Sequence, residues 1–419
     1  MSGQTVFVDA AVHGAQLDVR GTNDAAVAGG SLSTVTSATI VFSANDTGKT
    51  YVLTSTAGAV TTGTLTYVNS TTATMSVAAG GAITGGRIIV GTDDTTAWQD
   101  ALDSALPGQV VDAAGFSWRS LVTGNLDVPT GVHLGFWGRG PFDPQTNPAL
   151  NAWGPTFVMV QNSTAFVTLN YGSGVGDIIF YSANQKPPAS ASPTAYGAVI
   201  TMASGNVAGC HIGSPYMGNA YIGIYVLGGR HLIEAPQIGA LYRGLMIDYS
   251  QDVVNIRKLQ CSPYWRIQEG QGWTPTAGTL DDYALTNAWA MYVHRSDAFK
   301  IHDLFAFGIY GGLALLDSPD TGQSPRCGYG MVSMADIDVC AQGIYAQATG
   351  AAGLLVSQAM LVANATGVGT AGTAGVATVA GGTAAPVIVV SSWHARQTFS
   401  GGNSSNGAGT LRVPATNPG

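Results

Sequence analysis

Glycoside hydrolysis requires two carboxylates about 5 to 9.5 Å apart, one able to donate a proton and one ionised. In this sequence Glu234, Asp248 and Glu269 are the acids that could supply such a pair. Glu234 and Asp248 are expected on successive turns of the chain near strand ends, and Glu269 in a loop. Around them stand polar and charged residues, Asn255, Arg257, Lys300 and His302, in a chain where only 10% of residues are charged. The stretch 262–287 adds Tyr264, Trp265, Arg266, Trp273, Asp281, Asp282 and Tyr283. Exposed rings stack on sugar faces, and long loops on a rigid scaffold commonly carry function. Asn255, Arg257, Trp265, Trp273, Lys300 and His302 are therefore the candidate glycan-binding residues. The competing reading is a wetted strand face beside two tryptophans that only pack their loop. Lyase chemistry would instead want a base such as Arg257 or Lys300 with a cation held by clustered aspartates. Asp281-Asp282 suits loop solvation, Asp336-x-Asp338 is the only cation hint, and His294, His302 and His394 suit polar surface or a satisfied core. No metal site and no cofactor is expected.

These residues need a scaffold, and internal repetition indicates which. The segments YIGIYV (221–226), YRGLMI (242–247), AWAMYV (288–293) and AQGIYA (341–346) share one pattern anchored at Gly223, Gly244, Ala290 and Gly343, with a weaker copy at Gly312. The anchors are 21, 46, 22 and 31 residues apart, about one 22-residue unit with insertions in the second and fourth gaps. A unit that short, built of strands, cannot bury its own apolar face and must stack on copies of itself. Strand alternation then points Ile224, Leu245, Met291 and Ile344 inward, and Val226, Ile247, Val293 and Ala346 likewise. Tyr225, Met246, Tyr292 and Tyr345 form an outward column, which suits either an aromatic ladder on one chain or a subunit interface. On the following strand the expected outward columns are Glu234, Asn255 and Lys300, and Pro236, Arg257 and His302.

Upstream, residues 32–90 alternate β-branched and polar residues between Gly and Asn turns, the pattern of a small β subdomain. One amphipathic helix follows: Ala97, Trp98, Ala101, Leu102 and Ala105 form a stripe at helical period, Thr92 or Asp93 can cap its start, and Pro107-Gly108 ends it. Its stripe would cover the first stacked turn, whose open edge invites aggregation.

The run Gly91-Thr92-Asp93-Asp94-Thr95-Thr96-Ala97-Trp98-Gln99-Asp100-Ala101-Leu102-Asp103 resembles the segment that opens the pectate-lyase-like, right-handed parallel β-helix proteins, notably bacteriophage tailspikes and capsule depolymerases. Gly176-Asp177-Ile178-Ile179-Phe180-Tyr181 is similar to an early coil of such proteins, and the insert SATIVFSANDTGKTYVL to inserts in some of them. The sequence departs from the family in placing Gly21-Thr22-Asn23-Asp24 far upstream of the Thr-Asp-Asp element. The resemblance implies an all-β chain, a right-handed single-stranded parallel β-helix with one N-terminal capping helix and a small inserted β subdomain. Residues 1–20 would be an N-terminal segment for virion attachment, 21–91 the subdomain, 92–110 the helix, and 111–419 the β-helix with a loop insertion at 262–287. It further implies a homotrimer on the virion surface, in contact with other virion proteins, that binds a host surface polysaccharide and either does or does not cleave it. A structural virion decoration without a glycan site and a bacterial, non-phage polysaccharide enzyme are the remaining alternatives.

Composition trims the field. The 419 residues include 57 Gly, 16 Lys+Arg and 24 Asp+Glu, a net charge of −8, which excludes coiled coils, charged bundles and charged disordered tails. Without a basic run, nucleic acid is not an expected partner, and neither is a strongly anionic one. Cys210, Cys261, Cys327 and Cys340 have no metal or disulfide-framework spacing and read as buried thiols. The start lacks the basic and apolar regions of a secretory signal. The uncharged stretch between Asp338 and Arg396 is broken every few residues by Gly, Thr, Ser or Asn, so it reads as short strands, not a membrane span.

Overall fold

The computed structural model describes residues 7–115, 118–137, 154–265, 273, 275–317, 327–347, 353–370, 376–378 and 388–397; for residues 327, 376–378 and 390–397 the description is of the backbone alone. Strands dominate, and 24 of them belong to one parallel sheet. Three strand positions recur in order along the chain, and each pairs in parallel with its counterpart one turn later, as in a β-helix-like solenoid.

Face A runs from Val110–Asp112 through His133–Leu134, Gly174–Val175, His211–Ile212 and Leu232–Ile233 to Asn255, Lys300, Met331, Leu355 and Val389. Face B contains Arg119–Val122, Thr156–Met159, Ile179–Ser182, Tyr216, Gln237, Gln260, Phe305, Asp336 and Met360. Face C contains Leu126–Val128, Val167–Leu169, Ile200, Ile224, Leu245, Met291, Leu313 and Ile344. The repeat anchors sit on face C in one register: the pairs Ile224↔Leu245, Leu245↔Met291, Met291↔Leu313 and Leu313↔Ile344 bring each anchor over the next. Close stacking explains the glycines, since a β-carbon on Gly244 would lie 2.5 Å from the Ala290 carbonyl oxygen and collide with Cys261 Sγ. The residues read as inward, Ile224, Leu245, Met291, Ile344, Val226, Ile247, Val293 and Ala346, are all fully buried in a single core.

That core changes character along its length. Its first coils hold a cluster of rings, with Trp98 centred 4.9 Å from Trp118 and 4.7 Å from Phe157. Later coils fill it with Ile, Leu, Val and the thiols of Cys261 and Cys340. Cys210, Cys261 and Cys340 are free and buried; burial pushes the Cys210 thiol up to about 11 and Cys340 to about 12, and raises Cys261 too. The side chain of Cys327 lies outside the described residues.

Helix α1 spans Thr95–Ser104, shorter than the expected 92–110, and buries Trp98, Ala101 and Leu102 in the same core. Its N-cap is Asp94, not Thr92 or Asp93. The two aspartates have separate structural duties. Asp93 accepts from the Thr95 and Thr123 amides, at 3.1 and 3.2 Å, tying the helix start to the first coil. Asp94 accepts from the Gln16 amide and the Ser120 hydroxyl, both at 2.8 Å, and Ser120 in turn accepts from the Trp98 indole. Burial raises the Asp94 pKa despite these bonds.

Strands Arg20–Val27, Thr34–Thr36, Thr50–Thr54, Val60–Asn69, Thr72–Met75 and Ile83–Gly91 close into a barrel with its own core around Phe42, Tyr51, Leu53, Leu65 and Ile88. Val52 and Ile89 of this barrel pack on Leu121, Val158, Tyr181 and Tyr216 of face B. The buried Arg87 guanidinium joins the two bodies, donating to the Tyr181 hydroxyl and, at 2.8 Å, to the Ala183 carbonyl. Phe7–Asp9 was expected in a separate N-terminal segment; it pairs in parallel with Val110–Asp112 and so adds a strand to the solenoid.

The sequence suggested one helix, yet the insertion holds a second, α2, Leu280–Asn287, with Thr279 as N-cap and Asp281 and Asp282 in its first turn. Toward the C-terminus, Val376–Thr378 and Ile388–Gln397 continue the parallel pairing. Gly367 occupies a turn at φ +76°. Among the described residues no helix is long and apolar enough to cross a membrane.

Candidate functional site

Between faces A and B the chain turns in about three residues, and successive coils stack these turns. The register Ile212↔Ile233 sets Gly213 over Glu234, and Ile233↔Ile256 sets Glu234 over Arg257. Backbone bonds continue the ladder, from the Lys258 amide to the Glu234 carbonyl at 2.7 Å and from Ala235 to Gly213 at 3.3 Å. Side chains that do not pack inward must therefore project from one corner at the coil spacing of about 4.8 Å.

They line a cleft of about 440 Å³. Trp137 supplies its apolar wall, and Asp177, His211, Ser214, Glu234, Gln237, Lys258 and Gln260 supply polar groups from four successive coils. Gly213 makes room for the indole, since a β-carbon there would lie 2.5 Å from Trp137 Cδ1. The Trp137 ring stacks on His211, with centroids 5.0 Å apart and planes 13° apart, and meets His133 edge-on at 4.5 Å. Burial, reinforced by the neighbouring His211, holds the His133 pKa below the usual imidazole value.

Glu234 is the electrostatic centre of the corner. Its Oε1 lies 3.0 Å from Arg257 Nη1 and 3.6 Å from His211 Nε2. Asp177, 4% exposed, accepts from the Ser214 amide at 2.9 Å. Gln237 and Gln260 stand in register on adjacent coils, and both line the cleft. Such a surface offers a ring face for the apolar side of a sugar and fixed donors and acceptors for its hydroxyls.

The sequence-derived candidates scatter. Glu234 and Arg257 meet here as a pair, but the expected column of Glu234, Asn255 and Lys300 is corrected by the register. Asn255 aligns with Leu232 and Lys300, whereas Glu234 aligns with Arg257 and, one coil on, His302. The turns from face C to face A differ in length between these coils, from Val226 to Leu232 in one and from Ile247 to Asn255 in the next, which shifts Glu234 two positions past Asn255. Asp248 does not approach Glu234: it is 4% exposed at the opposite corner, between faces C and A, where it accepts from the Tyr249 and Arg295 amides. Pairing these two as acid and base is thereby excluded. Glu269 lies outside the described residues.

The two tryptophans of the insertion pack onto the protein. Trp265 adjoins the apolar cluster beneath the barrel, and its carbonyl accepts from the Tyr216 hydroxyl at 2.6 Å. Trp273 meets Phe307 edge-on at 4.8 Å. The insertion leaves face B after Cys261 and rejoins the sheet at Trp289 on face C, so it springs from a different corner than the cleft. Asp281 and Asp282 belong to the start of α2, where the Asp282 carboxylate also accepts from the Gly369 amide at 2.9 Å. Among the described residues no group of three or more His, Cys, Asp or Glu could hold a metal ion; Asp336 stands beside Asp338 and Asp303, and burial together with their charge raises its pKa.

Sequence reasoning missed Trp137, Asp177, His211 and Lys258. One signal was present: the turns Gly213-Ser-Pro215 and Glu234-Ala-Pro236 are 21 residues apart and could have set the register of the corner.

The molecule is thus a parallel β-solenoid with a polar, tryptophan-walled corner cleft. No protein-family model matches the chain, and neither curated proteins nor solved structures gave a match.

Proposed function

We propose that this chain is a tailspike-like virion protein that binds a host surface polysaccharide in the corner between faces A and B. In this reading the solenoid is a right-handed, single-stranded β-helix of the pectate-lyase-like kind, α1 caps its first coil, and the barrel is an inserted subdomain. The observation that carries the binding function is the Trp137 cleft, where one ring and a row of polar side chains from stacked coils converge. A homotrimer belongs to the same reading. Its support is the outward column of face C, where Tyr225, Met246 and Tyr292 stay half-buried and Arg243 lies 3.6 and 4.0 Å from the ring centroids of Tyr242 and Tyr292.

Binding to a panel of bacterial capsule and lipopolysaccharide glycans tests the reading. The wild-type chain is expected to retain at least one, and Trp137→Ala to lose it while keeping the wild-type circular dichroism spectrum. Absence of any binding across the panel would leave a structural virion component as the better reading, which the inward packing of Trp265 and Trp273 already suits.

Cleavage is a second reading with its own observation: Asp177 and Glu234 line one cleft from turns two coils apart. At about 4.8 Å per coil their backbones are roughly 10 Å apart, so their side chains would have to lean toward each other to bring the carboxyl groups within the roughly 6.5–9.5 Å that inverting hydrolases use. If they act together, oligosaccharide products appear on incubation with the bound glycan and vanish in Glu234→Gln.

A further inference from the structure

Arg243 stands where a strand of face C begins, in register with Ile222 and Trp289. Its guanidinium lies 3.6 Å from the Tyr242 ring centroid and 4.0 Å from that of Tyr292, too close for both rings to share one side, so it is held between them. Tyr221 extends the stack, its ring 4.9 Å from Tyr242 and tilted by 11°. Nη1 donates to the Tyr242 and Asn287 carbonyls at 2.9 and 2.8 Å, which fixes the plane of the fork. Among the described residues the N–H groups on Nε and Nη2 have no acceptor, and no carboxylate lies within ion-pair distance. The residue is only 6% exposed, yet these two nitrogens are not sealed from the surface. The result is a rigid guanidinium whose single open edge points outward. Such a fork loses little freedom when a carboxylate pairs with it, and arginine, tyrosine and tryptophan are the residues that dominate protein contacts.

Resting on the homotrimer reading above, we infer that Arg243 of each copy receives the Asp297 carboxylate of the next, so that the site is complete only in the assembly. Rotation about an axis parallel to the solenoid preserves strand direction and height. Around such an axis face C of one copy meets the next with strand starts against strand ends, a heterologous contact that closes into a ring. The open edge of Arg243 then faces the neighbour's corner between faces C and A. Two exposed aspartates stand there, Asp252 and Asp297. Asp252 is already paired with Arg230 at 2.6 Å. Asp297 has no ion pair among the described residues; its Oδ2 only accepts from the Asp252 amide at 3.4 Å. It follows Tyr292, whose ring covers Arg243, on the same coil, so the two charges lie within about 4.8 Å of the same height.

Sedimentation velocity of the full chain, over a dilution series in graded urea, reads dissociation, while circular dichroism follows unfolding. The wild type is expected to sediment as a trimer. Arg243→Met and Asp297→Asn should each raise the protein concentration of half-dissociation about tenfold or more. The double variant should be no weaker than Arg243→Met alone, because both changes remove one contact. Arg243→Lys should recover little, since an ammonium lacks the planar fork. Asp297 is exposed, so Asp297→Asn keeps the wild-type fold and carries the test even if Arg243→Met does not fold. A trimer that dissociates like the wild type in Asp297→Asn, or effects of the two changes that simply add, would overturn the inference and leave the homotrimer standing. A monomeric wild type would instead remove the reading on which it rests.

Discussion

Face C and the corner between faces A and B are built from the same coils, yet they solve different problems. Face C is periodic: each coil offers a small anchor, an inward aliphatic side chain, an outward residue and a second inward one, and the pattern survives insertions on either side. The corner is aperiodic. Its stacked turn positions hold Gly213, Glu234 and Arg257 in one row and Asp177, Ser214, Ala235 and Lys258 in the next, so every coil contributes a different chemical group. Repetition suits stacking, where each coil must match its neighbour. Recognition of an irregular ligand needs the reverse. The contrast predicts that substitutions on face C cost stability, whereas substitutions at the corner cost binding and little stability.

The largest effect is expected from Leu245→Ala. The side chain is fully buried between Ile224 and Met291, so truncation removes apolar burial and leaves a cavity, costing roughly 2–5 kcal/mol. Urea unfolding monitored by circular dichroism measures it. Gly244→Val should follow, at about 1–3 kcal/mol from overpacking, because the new β-carbon meets the Ala290 carbonyl and Cys261 Sγ with no room to move. If either protein unfolds at the wild-type urea concentration, face C is not where the solenoid stores its stability.

At the corner the expected pattern inverts. Arg257→Gln breaks an ion pair to Glu234 in which the arginine side chain is 62% exposed, and exposed pairs contribute about 0–1 kcal/mol. Its stability should fall within that range, while freeing Glu234 changes the affinity for the bound glycan. A loss of stability comparable to that of Leu245→Ala would erase the distinction between the two regions.

The same contrast explains what the sequence made legible. Face C could be read because its signal is local: anchor, inward and outward positions lie within six residues and recur, so the register of Gly223, Gly244, Ala290, Gly312 and Gly343 followed from pattern matching. Helix α1 was legible for a similar reason, since its apolar stripe repeats at helical period, although its start was set by long-range bonds from Asp94 to Gln16 and Ser120. The cleft was not legible. Trp137, Asp177, His211, Glu234 and Lys258 span more than a hundred residues, and the chain between them contains insertions of unequal length. Only Glu234 and Arg257 could be singled out, as charges in a charge-poor chain. The same reasoning also selected Asp248, which the fold turns to another corner.

Acid and base should separate the two regions most gently. On face C, burial together with the nearby Asp248 pushes the Tyr225 phenol up to about 12, and burial with Tyr283 and Tyr242 does the same for Tyr221. An unfolded tyrosine ionises near 10, so the unfolded chain releases these protons first. The stability they contribute is complete below about pH 10 and is lost as the pH rises toward 12. At the corner the sign reverses: burial and His211 hold His133 below its ordinary value of 6.5. There the unfolded chain takes up the proton first, so that contribution is complete above about pH 6.5 and is lost as the pH falls through the folded-state value. Unfolding midpoints measured from pH 4 to 12 should therefore decline at both ends. Tyr225→Phe is expected to flatten only the alkaline limb and His133→Gln only the acid one. Should His133→Gln leave the acid limb unchanged, the imidazole beside Trp137 is not buried as its packing requires, and the apolar wall of the cleft must be drawn differently.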